Sequence, residues 1–412
     1  MTLRVLPPSP PQGESDTARV LEGAVDLKRA FGIYVHFPFC GARCPYCDFA
    51  IDVRPDVPHE RYAQAVCREL MASAPAFGLP PVSIYFGGGT PGLWRPACVA
   101  QVIDCARLVF AAAESPLEVT LEANPGEVTL EHLQALRAAG VNRLSFGIQS
   151  FDAQLLTAIG RTHSVSQAHA AIPLARAAGF TNVACDLMFG LPGQTEAHWQ
   201  QTLAAAIQHG ADHLSCYALT VEPFTPFGQR EKKGQLQRPD DDAVATMWEL
   251  ADATLTAAGY QHYEVSSYAR PGARAIHNTL YWTQGAYLGV GCAAASLRPL
   301  ASGGGWRFLN PRAAETYMQR SEQGSLAPAQ VEWRTPAELE DEAVWLALRT
   351  SRGLDRAAHQ RLFGADPLAS PNRAQAAARL QTIGWLQITP THLLPTVQGL
   401  MFADDLATRL WV

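Results

Sequence analysis

Tyr34-Val35-His36-Phe37-Pro38-Phe39-Cys40-Gly41-Ala42-Arg43-Cys44-Pro45-Tyr46-Cys47-Asp48-Phe49 places three cysteines in a CxxxCxxC spacing directly behind a β-branched, aromatic run. Thiolates are soft donors that suit zinc or an iron–sulfur cluster. A structural zinc site wants four closed ligands, usually as two spaced pairs. No second cysteine pair exists here. Cys67, Cys98, Cys105, Cys185, Cys216 and Cys292 stand singly in apolar or helical surroundings and read as core cysteines. Asp48 or His36 could complete a zinc site, so zinc stays open. Three cysteines on one loop would instead leave one iron of a four-iron cluster without a protein ligand, free to coordinate a small molecule.

Outward from this loop a strand–helix alternation begins. Runs at 33–37, 82–86, 117–122, 143–148, 182–189 and 213–219 are rich in β-branched or aromatic residues. Ala/Leu-rich stretches such as 130–139, 166–178 and 196–209 lie between them. The alternation predicts βαβ units and a parallel sheet. Six units predict either a doubly wound sheet or an incomplete (β/α) barrel. Nearly every strand ends in a marker. The cysteine loop follows the first and Gly87-Gly88-Gly89-Thr90-Pro91 the second. Glu122-Ala123-Asn124-Pro125, Gln149-Ser150, Asp186 with Gly190-Leu191-Pro192-Gly193, and Tyr217-Ala218-Leu219 mark the other four. C-terminal strand ends share one face of such folds, so one large site is expected there. Glycines let backbone approach a ligand, and Glu122, Gln149 and Asp186 could hold an amino group or ribose hydroxyls. The glycine run has a tight strand-to-helix turn as its minority reading; Glu122, Gln149 and Asp186, taken singly, are more often helix caps or supports for other residues, and Arg161 would be a solvated surface residue.

The remaining chain divides by composition. Residues 1–30 are Pro-rich and read as a flexible tail, 31–250 as the barrel, and 251–330 as a less periodic connecting segment containing His277-Asn278-Thr279-Leu280-Tyr281-Trp282. Residues 331–412 read as a small helical domain. It opens on Thr335-Pro336-Ala337-Glu338, an N-cap with a capping-box Glu. Helices at 372–383 and 397–410 follow, with a wing-like hairpin at 385–388 and 393–394. With 48% apolar and 17% charged residues among 412, a large core is expected. A net charge of −6 lacks the basic excess of a sequence-independent nucleic-acid binder, so no nucleic-acid partner is expected. The opening MTLRVLPPSPPQGES lacks the apolar core of a signal peptide, and no apolar run approaches the ~18–20 residues of a membrane span. Nine cysteines in such a chain fit a reduced, cytoplasmic location.

The cysteine spacing resembles the radical S-adenosylmethionine (SAM) superfamily. There SAM fills the vacancy on a 4Fe–4S cluster, and an electron from the cluster splits it into methionine and a 5′-deoxyadenosyl radical, while the protein positions the parts. The motifs around Tyr34–Phe49 and the strand-end markers, with the Ser145-Phe146-Gly147-Ile148-Gln149-Ser150 run and residues 277–282, occur in one order over roughly 31–410. As a set they resemble the family of the oxygen-independent coproporphyrinogen III oxidase and, within it, the HemW branch of heme chaperones. The resemblance implies a partial (β/α)6 TIM-like barrel with a small, mainly helical, winged-helix-like C-terminal domain. It implies Cys40, Cys44 and Cys47 as cluster ligands. Tyr34, the Tyr46 backbone, Gly88, Gly89, Thr90, Glu122, Gln149, Arg161, Asp186 and Ala218 are then the SAM contacts.

Two features separate the branches. The oxidase has a fourth cysteine two residues past the third, where this chain has Phe49. The chaperones carry HNxxYW, which residues 277–282 match. On that resemblance His277, Tyr281 and Trp282 bind heme: an imidazole for iron, and aromatic faces for the ring. The bland alternative is that His277 satisfies a buried turn while the aromatics pack. Ala295 stands where relatives commonly have His, and Cys292 is either a thiolate ligand or a small buried residue. The implied function is a heme chaperone with an electron donor and a heme-acceptor protein as partners, a membrane location of the acceptor being left open. The alternative is a radical SAM oxidase that decarboxylates propionates of coproporphyrinogen III.

Overall fold

Period-two alternation builds the main sheet. The computed structural model describes residues 29–112 and 116–411, so the expected tail lies outside them up to residue 28. β1 (Phe31–Phe37), β2 (Ser83–Gly88), β3 (Glu118–Ala123), β4 (Arg143–Gln149), β5 (Val183–Phe189) and β6 (His213–Ala218) coincide with the six expected runs. They pair in parallel and in chain order. A doubly wound sheet would reverse its order at a switch point. No reversal occurs among these six, so the winding is that of an incomplete barrel.

Later strands extend both edges. β7 (Gln261–Glu264) and β8 (Ser267–Ala269) follow β6 in antiparallel pairing, β8 lying next to it. β9 (Ala286–Val290) adds in parallel to the free edge of β1. β10 (Ala295–Pro299), β11 (Gly305–Leu309) and β12 (Gln330–Arg334) continue from it in antiparallel order, which completes a twelve-stranded sheet.

The two faces of the six parallel strands differ. Ile33, Val35, Ile84, Phe86, Val119, Leu121, Leu144, Phe146, Cys185 and Leu214 pack outward into one core with helices such as His59–Phe77 and Pro96–Val109. Each such large apolar side chain contributes about 1.5–3 kcal/mol by leaving water. The alternate positions carry Tyr34, His36, Tyr85, Glu118, Glu122, Arg143, Ser145, Asp186 and His213. Several of these are hydrogen-bonded inside the barrel, as Tyr85 to Glu122 (2.7 Å) and Ser145 to Asp186 (3.2 Å). Barrel interiors are ordinarily filled by branched apolar residues. A polar filling is tolerated only where it is bonded, and its placement here prepares a site.

A second core joins Val344, Leu348, Leu354, Leu380, Leu386, Leu393 and Leu406 near the C-terminus. The Thr335–Glu338 capping box forms as expected, and Leu386–Ile388 pairs antiparallel with His392–Pro395 as the wing. The single helix expected over 397–410 is two, Val397–Met401 and Ala403–Arg409. Phe402 separates them at φ −106° and ψ 33°, which lets its ring stack on Trp385 at 4.9 Å. Among the described residues, no helix is long and apolar enough to cross a membrane.

Candidate functional site

The cysteine loop is held at the strand ends by backbone. Phe39–Cys40 pairs with Asp52–Val53, and the Asp52 amide donates to Pro38 O (2.8 Å). The glycine run after β2 is bonded to the same segment: Gly89 N to Phe37 O at 2.7 Å and Thr90 N to Phe39 O at 2.9 Å. The Thr90 hydroxyl faces Cys40 Sγ at 3.4 Å. Burial pushes the Cys40 thiol up to about 11 and raises Cys47 as well. Both therefore keep their protons at neutral pH until a metal displaces them. Among the described residues, no three His, Cys, Asp or Glu side chains converge to hold one ion. His36, the suggested fourth zinc donor, has both nitrogens engaged, with Ala50 O at 2.9 Å and with Tyr34 Oη at 3.1 Å. The carbonyl can only accept, so Nε2 carries the hydrogen and Nδ1 accepts from Tyr34.

The three cysteines open on a cavity of about 420 Å3. Tyr46, Gly88, Gly89, Thr90, Glu122, Gln149, Arg161 and Asp186 line it with them. The structure thus gathers eight of the ten strand-end candidates from five strands and their loops. Glu122 accepts from Tyr85 Oη (2.7 Å) and Gly88 N (3.3 Å). Burial pushes its carboxyl up to about 7, with Asp186 adding repulsion. Burial also raises Asp186, opposed by its bonds to Ser215 and Ser145. Gln149 has φ +65°, beside a register shift between β4 and β5. A left-handed non-glycine residue costs roughly 1–2 kcal/mol, and such strain concentrates at ligand sites.

Arg161 is not a solvated surface residue. It donates to Gly147 O (2.7 Å) and to Asn124 Oδ1, and its Nη1 lies 3.6 Å from Cys44 Sγ. A fixed positive charge therefore stands beside one of the three thiols. Ala218 does not line the cavity; its neighbour Tyr217 does, because the two alternate across β6.

Tyr34 faces a second cavity, of about 480 Å3, which shares Phe49, Gly88 and Glu122 with the first. Of the three heme candidates only Tyr281 lines it. His277 lies buried behind Tyr281. Its Nε2 meets Tyr281 Oη at 2.8 Å, its Nδ1 meets Ser83 Oγ at 2.8 Å, and its ring stacks on Tyr85. Burial, with Arg143 second, pushes it down to about 3. As placed, it offers iron no free nitrogen. Trp282 lines neither cavity, and its buried Nε1 has no partner among the described residues. The short helix Ile276–Trp282 is anchored by Glu118, which accepts from Ile276 N and His277 N, both at 3.0 Å. Cys292 is a core residue: burial pushes its thiol up to about 12, and Tyr62 Oη donates to it at 3.5 Å. Ala295 lines the second cavity.

Sequence reading did not single out Tyr85, Asn124, Glu127, Tyr287 or Arg312 as site residues. Tyr85 was within reach, since it shares the inward face of β2 with Gly87. Asn124 belongs to the Glu122–Pro125 stretch at the end of β3. Tyr287 and Arg312 had no local signal, because β9 and the stretch after β11 reach the site only through the sheet.

Residues 34–206 match the radical SAM superfamily. The heme chaperone HemW of Mycobacterium tuberculosis is 37% identical over 390 residues, which covers 92% of this chain and 94% of that one. The heme chaperone HemW of Escherichia coli is 40% identical over 291 residues, 70% of this chain and 75% of that one. Among solved structures, the coproporphyrinogen III oxidase of Escherichia coli superposes with a TM-score of 0.81 at 23% identity, covering 97% of this chain and 94% of that one. That likeness is one of fold.

Proposed function

Because the chain belongs to the HemW family of heme chaperones in the radical SAM superfamily, we propose that it binds heme and passes it to an acceptor protein, with a 4Fe–4S cluster and SAM as its resident cofactors. The observation that carries this reading is the first cavity, where three thiols and eight strand-end residues face one space. The donor set suits both groups. Cys40, Cys44 and Cys47 would hold three irons, and Arg161 offsets the charge their thiolates acquire. Gly88 and Gly89 lack the Cβ atoms that would strike His36 and Pro38, which lets the glycine run lie against the strand that leads into the cysteine loop. Glu122 and Asp186 present carboxylates to a cationic amino acid portion or to hydroxyls, and Gln149 lines the same cavity. When bound, cluster and SAM supply one-electron chemistry that no side chain here provides. The cluster's electron would come from a donor protein in the cytoplasm, and an acceptor seated at a membrane is compatible with this scheme.

The test is anaerobic reconstitution with iron and sulfide, followed by parallel assays of heme uptake, heme transfer to an apo-heme protein, and coproporphyrinogen III turnover. Uptake and transfer without vinyl product are expected. Robust vinyl product would replace this reading by the oxidase. In the same preparation Cys44→Ala should lose the cluster's visible absorbance; retained absorbance would refute the ligand assignment.

A further inference from the structure

The second cavity has walls of a different character from the first. Tyr34, Tyr281, Tyr287 and Phe49 give it aromatic walls, Ala295 adds a methyl group, and Arg312 stands at its mouth. Its volume of about 480 Å3 lies in the range of ligand pockets. Aromatic faces favour a flat, apolar ligand, since stacked or edge-on rings gain beyond the area they bury.

Arg312 adds a charge requirement. Its guanidinium is exposed, and one of its donors is used on Asp48 O at 3.0 Å. A planar fork with donors to spare matches a carboxylate in two parallel bonds. Asp48 also lines the mouth, but among the described residues it forms no ion pair with Arg312. A ligand that is flat and apolar at its centre and carboxylated at its edge is therefore the complement of this cavity.

Building on the chaperone reading, we propose that heme is seated in this second cavity, its macrocycle against Tyr281, Tyr287 and Phe49 and one propionate on Arg312. Tyr281 is the HNxxYW side chain that touches the ligand. His277 is a positioning residue, which fixes Tyr281 through the 2.8 Å bond from behind. The shared wall of Gly88 and Glu122 puts an edge of the macrocycle beside the first cavity. Phe49, 61% exposed, and the exposed Arg312 leave part of the macrocycle at the surface, where an acceptor protein could take it.

Ala295 and Arg312 both lie outside the first cavity, and Arg312 meets the cysteine loop only through its bond to the Asp48 carbonyl. Hemin is titrated into the reconstituted full chain and read by Soret absorbance, with cluster absorbance and SAM binding followed alongside. Ala295→Trp fills the cavity, and Arg312→Glu reverses the charge at its mouth. Each should weaken hemin binding by about tenfold or more while cluster absorbance and SAM binding stay at the wild-type level. Arg312 is exposed, so its variant remains informative even if Ala295→Trp fails to fold. Wild-type uptake with unchanged affinity in Arg312→Glu and in a folded Ala295→Trp would overturn the seat alone. A wild-type chain that takes up no hemin would overturn the chaperone reading, and the seat with it.

Discussion

Two glycines close to the three thiols should respond to alanine in opposite ways. A Cβ on Gly89 would lie 2.7 Å from Pro38 C, 2.7 Å from Pro38 O and 2.8 Å from Phe37 O. All three atoms are backbone, in the segment that leads into Cys40, so no side chain can swing away. A Cβ on Gly41, between Cys40 and Cys44, would meet only Glu127 Oε1 at 3.4 Å, an ordinary contact with a flexible group. Overpacking costs typically about 1–3 kcal/mol. Three backbone clashes at one atom put Gly89→Ala at the upper end, about 3 kcal/mol. Relief would come from parting the glycine run from the cysteine loop, two walls of the proposed SAM site. If that strain falls wholly on the site, SAM binding weakens by roughly 100-fold, at about 1.4 kcal/mol per tenfold. Gly41→Ala should stay within about threefold of wild type. The assay is equilibrium binding of SAM to anaerobically reconstituted protein, with iron content as a check on loading. Wild-type affinity in Gly89→Ala, or a larger loss in Gly41→Ala than in Gly89→Ala, would refute the argument.

Further outcomes follow from Glu122 and Glu118. Burial lifts Glu122 from its ordinary 4.5 to about 7. Between those values the folded chain holds a proton that the unfolded chain has lost, so this group makes stability fall as pH rises through that window. A cationic ligand prefers the ionised carboxylate, so SAM should bind more tightly at about pH 8 than at about pH 6, and Glu122→Gln should flatten that slope. An unchanged slope in the variant would exclude Glu122 as the titrating group. Replacing Glu118 by Ala strips the acceptor from Ile276 N and His277 N. An orphaned buried donor costs about 1–3 kcal/mol; Ile276 is exposed enough to regain water and His277 is not, so a loss of about 1–3 kcal/mol is expected in urea unfolding. A loss below about 1 kcal/mol would mean that the helix is anchored elsewhere.

What the sequence determined by itself is local or periodic. The spacing of Cys40, Cys44 and Cys47 restricts them to one short loop, and the apolar runs locate six strands by alternation alone. Because parallel strands must all end on one face, a list of strand-end markers became a single site with eight of its ten candidates in place. The tertiary structure decided what depends on neighbours distant in sequence. The winding order could not be read from alternation, since doubly wound and barrel sheets share it. Arg161 looks like a surface residue until Gly147, Asn124 and Cys44 close around it. The sequence does not show that Ser83 and Tyr281 meet both nitrogens of His277. The walls of the second cavity come from β1, the loop after Cys47, the ends of β2 and β3, the helix Ile276–Trp282, β9, β10 and the stretch after β11. They meet only because β9 pairs with the free edge of β1, a contact between residues some 250 positions apart that no local pattern encodes.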